Sequence, residues 1–569
     1  MTEQEKKSLE ASQSKWEKEV RAPYVEKNPE RRKFVTDIGI DIQNIYTPLD
    51  LEKRGFEYEK DVGYPGQEPW TRGITPNMNR SGKMDDFTTG DMVSSVYVGF
   101  GLPEHVGERI KKLVSWGCDR ITLAADLPTQ VGYDSDHMMA RGEIGRSGVC
   151  IDSLQDLEIM FDGVAIDELK GGLGYLGNSF GPFALASWIA LGRKKGLEIS
   201  QYRITLQNDP IKEFFARGTY IYPMDAAVHL ACDVYEWCAK NAPHWNGGFL
   251  CSSHINGSGT GSLKAAAYAM LDGFVYLDDL LSRGLTLEEI APVMNFFFDE
   301  REDFFVTAAL YRASRKLWAK LLRKYYNAKT ELATQKMMMG YPHGGETLQE
   351  PLNNIVRIGL ACAGFYLGGA TIMECASYDE AMGTPNEQSH KICLRTEQIV
   401  HNELGLHRTV DPLAGSYYVE SLTIDIANEM EAEIEKVRTE YGDIKGAIEA
   451  GYCQGVATRG AIRRQEAVEG GERLSVGMNL YPTDEPLPKG ALRINNDIEA
   501  IQIERLKKLK ATRDNKAVEA SLAKVRKCAE EGTNCIEVLV EAVQNYATIG
   551  EVCDVWREIY GEYQPISTF

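Results

Sequence analysis

The sequence predicts an α/β protein built on a (β/α)8 TIM barrel. Three observations carry this. From about residue 95, short apolar runs alternate with amphipathic stretches of helical period. Six or seven such strand–helix units recur over about 300 residues, which suits a closed barrel better than an open sheet. No Gly-rich dinucleotide turn follows the first strand, as an open doubly wound sheet would usually show.

The elements can be taken in order. Residues 1–35 are highly charged with scattered aromatics such as Trp16 and Tyr24, and read as an exposed helix or an extended arm, either a solvated tail or a segment that wraps a partner. Residues 61–90 are rich in Gly, Pro and Asp and read as irregular. DRITLAADLP (119–128) is strand-like, and KGGLGYLGN (170–178) leads into the helical FALASWIALGRKKG. RITLQND (203–209) is strand-like, and so is GGFLCSSHI (247–255) before the helical SLKAAAYAMLDGFVYL. VMNFFFDE (293–300) precedes a long amphipathic helix, and GFYLGGATIM (364–373) is the last candidate strand. After about residue 410 the chain turns helical and charged, with an irregular link at NLYPTDEPLPKG; its charge runs read as solvated faces. The implied division is an arm at 1–65, a barrel at 66–405 and a helical region at 406–569.

At 569 residues the chain is long enough for two or more domains. A net charge of −20 argues against a nucleic-acid or membrane-surface binder, which needs a basic patch. The twelve cysteines include no C-x-x-C pair, and several lie in apolar runs, so they read as reduced, mostly buried thiols of a cytoplasmic protein. The N-terminus has no apolar signal core, and no apolar run reaches about 18 residues.

Barrel enzymes do their chemistry at the C-terminal ends of the strands. That rule selects Asp126 with Pro128 and Thr129, then Gln207, then His254. Gln207 closes a strand, and Arg217 follows in the apolar company of Phe214, Phe215 and Ala216. A strand-end amide followed by a guanidinium suits a small acyl group bearing a carboxylate. His254, before a Gly/Ser turn, is placed to hydrogen-bond a carbonyl or act as an acid; the alternative is a satisfied structural histidine. His137, His254 and His343 show no paired metal-ligand spacing. GSGTGS (257–262) opens a helix but lacks the Lys-Ser/Thr ending of a phosphate loop, and reads as a small-residue surface facing a bulky cofactor.

A collinear series of motifs resembles the methylmalonyl-CoA mutase family over roughly residues 60–565. They are RGITPNM (72–78), YVGFG (97–101), DLPTQVGYDSDH (126–137), GVCIDS (148–153), TLQNDPIKEF (205–214), RGTYIYP (217–223), LWAKL (317–321), NNIVR (353–357), RTVDPLAGSYYVE (408–420) and YATIGEVCDVWREIYGEY (546–563). The resemblance implies an adenosylcobalamin-dependent acyl-CoA mutase whose strands part to admit the coenzyme A arm along an axis lined by small polar side chains. A separate cobalamin domain with D-x-H-x-x-G caps the family's barrel. This chain has no such motif and stops where that domain would begin, so a small cobalamin-binding subunit is implied, in a heterodimer or dimer of heterodimers, with a G-protein chaperone as a further partner.

By the same resemblance His254 hydrogen-bonds the thioester carbonyl, Gln207 positions the acyl group and Arg217 pairs with a free carboxylate. Thr205 joins the substrate contacts, and Arg72 and Lys320 contact coenzyme A. Members acting on monoacids typically carry Gln where this chain has Arg217, which points to a dicarboxylic acyl-CoA. The chain also departs from the family. Asn79 and Ala125 stand where Tyr and Phe are usual, implying a larger acyl pocket. SGKMDDFTTGDMVSSV replaces a coenzyme A-binding run. Gly257 and Ala361 fall where Glu residues approach the adenosyl ribose. A mutase for a branched or hydroxylated monoacyl-CoA, of isobutyryl or 2-hydroxyisobutyryl type, and a non-catalytic scaffold subunit remain as other readings.

Overall fold

The computed structural model describes residues 1–30, 34–36, 38–80, 92–299, 303–343, 345–484, 495 and 497–565. Eight parallel strands form the barrel: β1 Val93–Val98, β2 Arg120–Leu123, β3 Gly172–Leu176, β4 Ile204–Gln207, β5 Gly248–Cys251, β6 Met294–Phe298, β7 Met338–Gly340 and β8 Ile372–Glu374. They pair in the order β4-β3-β2-β1-β8-β7-β6-β5. Between β4 and β5 the ring is joined by a bridge at Thr205 and Asn246, where the Leu206 amide donates to the Asn246 carbonyl at 3.0 Å.

Eight helices follow the strands: α1 Pro103–Ser115, α2 Leu154–Met160, α3 Gly181–Lys194, α4 Met224–Asn241, α5 Ser262–Ser282, α6 Phe304–Tyr326, α7 Asn353–Gly368 and α8 Glu387–Asn402. Strand alternation accounts for the two sides of the wall. Phe296 and Phe298 pack on Trp318 and Tyr311 of α6, so Phe297 between them points to the axis. The helices α3 and α5 are apolar on nearly every face because further helices cover them. Those are α9 Tyr417–Tyr441 on α5 and the helix Ile536–Gln544 on α3. Barrel and C-terminal helices therefore share one continuous core.

Two strand expectations change. GFYLGGATIM is not one strand: its first half is the end of α7, which stops at the left-handed Gly369 (φ 85°), and β8 holds only Ile372–Glu374. A short apolar run reads alike as buried helix or strand, and here it ends a sixteen-residue helix. The strand β7 was not foreseen, since its Met-Met-Gly carries no β-branched signal. The N-terminal arm is helical over Glu3–Trp16 and Ala22–Lys27, with no buried residue in either helix. Among the described residues no helix is long and apolar enough to cross a membrane.

Two buried arginines of α6 tie distant segments to the barrel. Arg312 donates to both Asp411 and Glu420, and all three are 5% exposed or less. Arg315 donates to the carbonyls of Trp70 (2.9 Å), Thr71 (3.0 Å) and Gly368 (2.8 Å). Replacing Arg312 by Leu would strand two buried carboxylates, at a cost of about 3–5 kcal/mol. The urea midpoint of Arg312→Leu is expected to fall clearly below that of the parent; an equal midpoint would show that the triad is dispensable.

Candidate functional site

At the C-terminal ends of β3, β4 and β5 the chain builds one polar network. Gln207, 2% exposed, ends β4. Its carbonyl oxygen accepts from Asn178 Nδ2 at 3.1 Å, and its amide donates to Cys251 Sγ at 3.4 Å. The same Asn178 amide donates to Glu213 at 2.8 Å. Cys251 Sγ lies 3.7 Å from His254 Nδ1. His254 is not at the strand end but in the helical turn Ser252–Ile255 that follows β5. Asp209 fixes the arrangement, accepting from the Cys251 amide and the Tyr276 hydroxyl, each at 2.8 Å. Burial raises its carboxyl to about 6, against the pull of Lys212. Thr205 sits two residues before Gln207 and so on the same face; its hydroxyl is buried without a hydrogen-bond partner.

Arg217 joins this network and is not the lone guanidinium of the sequence reading. Its Nη1 lies 3.7 Å from Glu213, which is fully buried. Glu213 also receives Lys212 at 2.6 Å and the Thr219 hydroxyl at 2.7 Å. Burial opposes the Glu213 charge, but Lys212 and Arg217 outweigh it and hold the carboxyl low. Tyr97 of β1 stands in the field of the Arg217 charge.

The axis differs from the family expectation of small polar side chains. One sector is polar: Arg120 donates to Ser95 at 2.8 Å and to Glu374 at 3.1 Å, with Thr122 beside them. Gly174 makes room for it, since a Cβ there would fall 2.3 Å from the Arg120 guanidinium. The other sector is apolar, where Phe249, Cys251, Phe297, Met339 and Ile372 form a cluster separate from the main core. Strand register turns these large residues inward.

Across the mouth stands a second group that the sequence reading passed over. His343, after β7, has Nε2 3.0 Å from Asp299 and Nδ1 3.3 Å from Glu346. Tyr341 donates to Glu380 at 3.3 Å. Although Glu380 is partly open to solvent, lost hydration among its neighbours pushes its carboxyl up to about 7, Glu346 adding to the shift and His343 opposing it. Strand-end position was the one signal available for these residues, and β7 had not been located.

Other expected residues fall elsewhere. Asn79, left-handed at φ 56°, accepts from the amide of Met92 just before β1. It shares a pocket at the N-terminal end of the barrel with Arg72, Gly369 and Asp411, at the opposite end from Gln207. Arg72 donates to the Val410 carbonyl at 3.2 Å and lies 3.6 Å from Asp411. Ala125 follows β2, fully buried in the main core and bridged to Val149. Lys320 is exposed and paired with Glu431 of α9 at 2.5 Å. Gly257 is exposed, but the next glycine of its turn, Gly259, lies against Ala457 and Ala461 of the helix Tyr452–Glu469. Part of the small-residue surface thus meets the chain itself. Ala361 is half-buried on α7. Of the replaced run 81–96, residues 81–91 lie outside the described residues.

A parallel barrel with a polar network at its C-terminal mouth defines a barrel enzyme. Comparison with known proteins gives the family. The model for methylmalonyl-CoA mutase matches residues 35–562. The chain is 33% identical to methylmalonyl-CoA mutase of Rhizobium meliloti over 97% of its length and 75% of that protein's. It is 32% identical to the 2-hydroxyisobutanoyl-CoA mutase large subunit of Aquincola tertiaricarbonis over 99% of both chains. With the mitochondrial methylmalonyl-CoA mutase of Homo sapiens it shares 31% over 95% of this chain and 70% of that one. The chain belongs to the methylmalonyl-CoA mutase family and is a mutase, an isomerase.

Glu380 has a measurable consequence. Its carboxyl holds a proton more tightly folded than unfolded, so its contribution to stability is full below about pH 4.5 and is lost as pH rises through about 7. Because Glu380 is open to solvent, melting temperature is expected to decline only slightly over that window, and less in Glu380→Gln. Parallel pH profiles for the two proteins would contradict a raised Glu380 carboxyl.

Proposed function

We propose that this chain is the large subunit of an adenosylcobalamin-dependent mutase that rearranges the carbon skeleton of a dicarboxylic acyl-CoA bulkier than methylmalonyl-CoA. One observation carries the dicarboxylic part. Glu213 is already engaged by Lys212, Asn178 and Thr219, so Arg217 at 3.7 Å keeps a guanidinium nitrogen without a hydrogen-bond partner. A second carboxylate, from the substrate, is the natural occupant.

The residues divide the work by position. Gln207 and the unpartnered Thr205 hydroxyl hold the acyl group, His254 meets the thioester carbonyl, and Arg217 holds the free carboxylate. The pocket at the opposite barrel end, with Arg72, suits the carrier's phosphates. The cofactor supplies radical chemistry by cobalt–carbon homolysis and hydrogen abstraction. This chain's part is to orient the acyl group and keep water out. Exposed Gly257 leaves room at the mouth for such a bulky group. A size beyond methylmalonyl-CoA rests on Asn79 and Ala125 standing where the family usually carries Tyr and Phe.

A small subunit with D-x-H-x-x-G would hold most of the cofactor, giving a heterodimer or a dimer of heterodimers. End-to-end similarity to a chain named a large subunit supports this. So does an exposed apolar patch: Leu352, Val356 and Leu360 along α7 are 60–65% exposed. Met478 and Tyr481 are exposed on the adjoining segment, which Arg357 ties to α7 through the Val476 carbonyl at 2.8 Å. Patches of this kind mark interaction sites.

A second reading, a hydroxylated monoacyl-CoA, is favoured by the relative named 2-hydroxyisobutanoyl-CoA mutase and by the polar group at His343 and Glu380. A substrate panel separates the two. The full chain, a cognate cobalamin-domain protein and adenosylcobalamin would be given alkylmalonyl-, isobutyryl- and 2-hydroxyisobutyryl-CoA. Diacids are expected to turn over, and Arg217→Gln to lower their kcat/KM about 100-fold. Turnover of monoacids alone would establish the second reading. Val356→Glu is expected to abolish complex formation in size-exclusion chromatography with the folded barrel intact; unimpaired assembly would place the interface elsewhere.

A further inference from the structure

Behind β8 lies a buried cluster that the acyl site does not use. Cys375 is the first residue after β8. Cys393 and Glu397 stand four apart on α8, hence on one helix face. Ligand atoms of these three residues lie within 4.8 Å of one another. Cys362 of α7 brings a third thiol, its sulfur 2.8 Å from that of Cys375. All four side chains are 4% exposed or less.

Glu397 gives the cluster its direction. One carboxylate oxygen accepts from the Cys375 amide at 2.7 Å; the other is buried with no hydrogen-bond partner. The Ser94 hydroxyl and the Cys375 thiol lie close enough to favour the carboxylate, but the charge acting on it is another carboxylate, Glu374. A buried carboxylate among thiols and beside a like charge calls for a cation.

We infer that Cys375, Cys393 and Glu397 form a structural site for a zinc-class divalent cation; Cys362, a neighbouring thiol outside that three-residue group, would have to shift to complete a fourth position. The ligand chemistry decides the metal class. Thiolates select borderline-soft ions, a carboxylate oxygen is compatible with zinc, and four ligands make a closed tetrahedral site. Zinc–sulfur bonds of about 2.3 Å set tetrahedral sulfurs about 3.8 Å apart, so Cys362 withdraws by about 1 Å on binding. The Cys393 thiol, which donates to the Cys375 carbonyl at 3.0 Å, then gives up its proton to solvent together with the other thiol ligands. Bound metal would fasten α7 and α8 to β8, the strand that sends Glu374 into the axis.

The test uses the full chain, expressed with zinc and purified without chelator, with metal measured by inductively coupled plasma mass spectrometry. About one zinc per chain is expected. Cobalt substitution should give thiolate-to-cobalt charge-transfer bands and tetrahedral d–d bands. Glu397→Gln and Cys393→Ser should each weaken metal retention about ten-fold or more. Cys528→Ser, at a half-exposed position outside the cluster, should not. Glu397→Gln is the milder change and keeps the test open if the cysteine variant fails to fold. Any of three results would overturn the site: less than a tenth of an equivalent of zinc or cobalt in the parent, unchanged retention in Glu397→Gln, or a Cys362–Cys375 disulfide in the freshly purified, metal-free chain.

Discussion

A fully buried carboxylate, Glu213, holds the candidate site together. It accepts from Asn178, which also anchors Gln207, and from Lys212 and Thr219 beside it. Such a charge is tolerable in the interior only when its partners surround it. Meeting that condition draws the ends of β3 and β4 together and brings Arg217 within 3.7 Å without consuming it. Asp209 extends the same logic to β5 by holding the Cys251 amide, which sets the turn carrying His254. The candidate site is thus a consequence of satisfying two buried acids.

The barrel around this network is asymmetric. One sector of its axis carries Arg120, Glu374, Ser95 and Thr122, and the other carries Phe249, Phe297, Met339 and Ile372. The division reaches the mouth, where a histidine and three carboxylates gather beyond the ends of β6, β7 and β8. A closed ring leaves strand residues two choices, toward the helices or toward the axis. A bulky residue at an inward position therefore fills the lumen whatever the family pattern around it. Any arm that follows the axis in this protein meets a lining partly of Phe and Met.

The C-terminal helices are as integral as the barrel helices. They cover α3 and α5, whose outer faces would otherwise expose Leu, Phe and Trp. An exposed apolar patch lies on α7 and the segment joined to it by Arg357, on the side of the mouth.

Much of this was legible in the sequence. Apolar runs of strand length followed by helical periodicity marked most of the barrel units, because burial on one side imposes those periods locally. Gln207, Arg217 and His254 stood out because strand ends are where such barrels place polar chemistry, and the fold brings all three into one network. What the sequence could not decide was whatever depends on neighbours distant in the chain. The strand β7 has three residues and no β-branched signal, so only its partners β6 and β8 define it. Asn79 and Ala125 looked like pocket residues by position in a motif. Their surroundings are set by Met92 at one end of the barrel and Val149 in the core, contacts between segments that no local spacing encodes. The pairing of Arg217 with Glu213, the inward turn of Phe249 and Phe297, and the meeting of Cys375 with Cys393 and Glu397 follow from register and helix docking. Those are properties of the closed ring, and only the tertiary structure determines them.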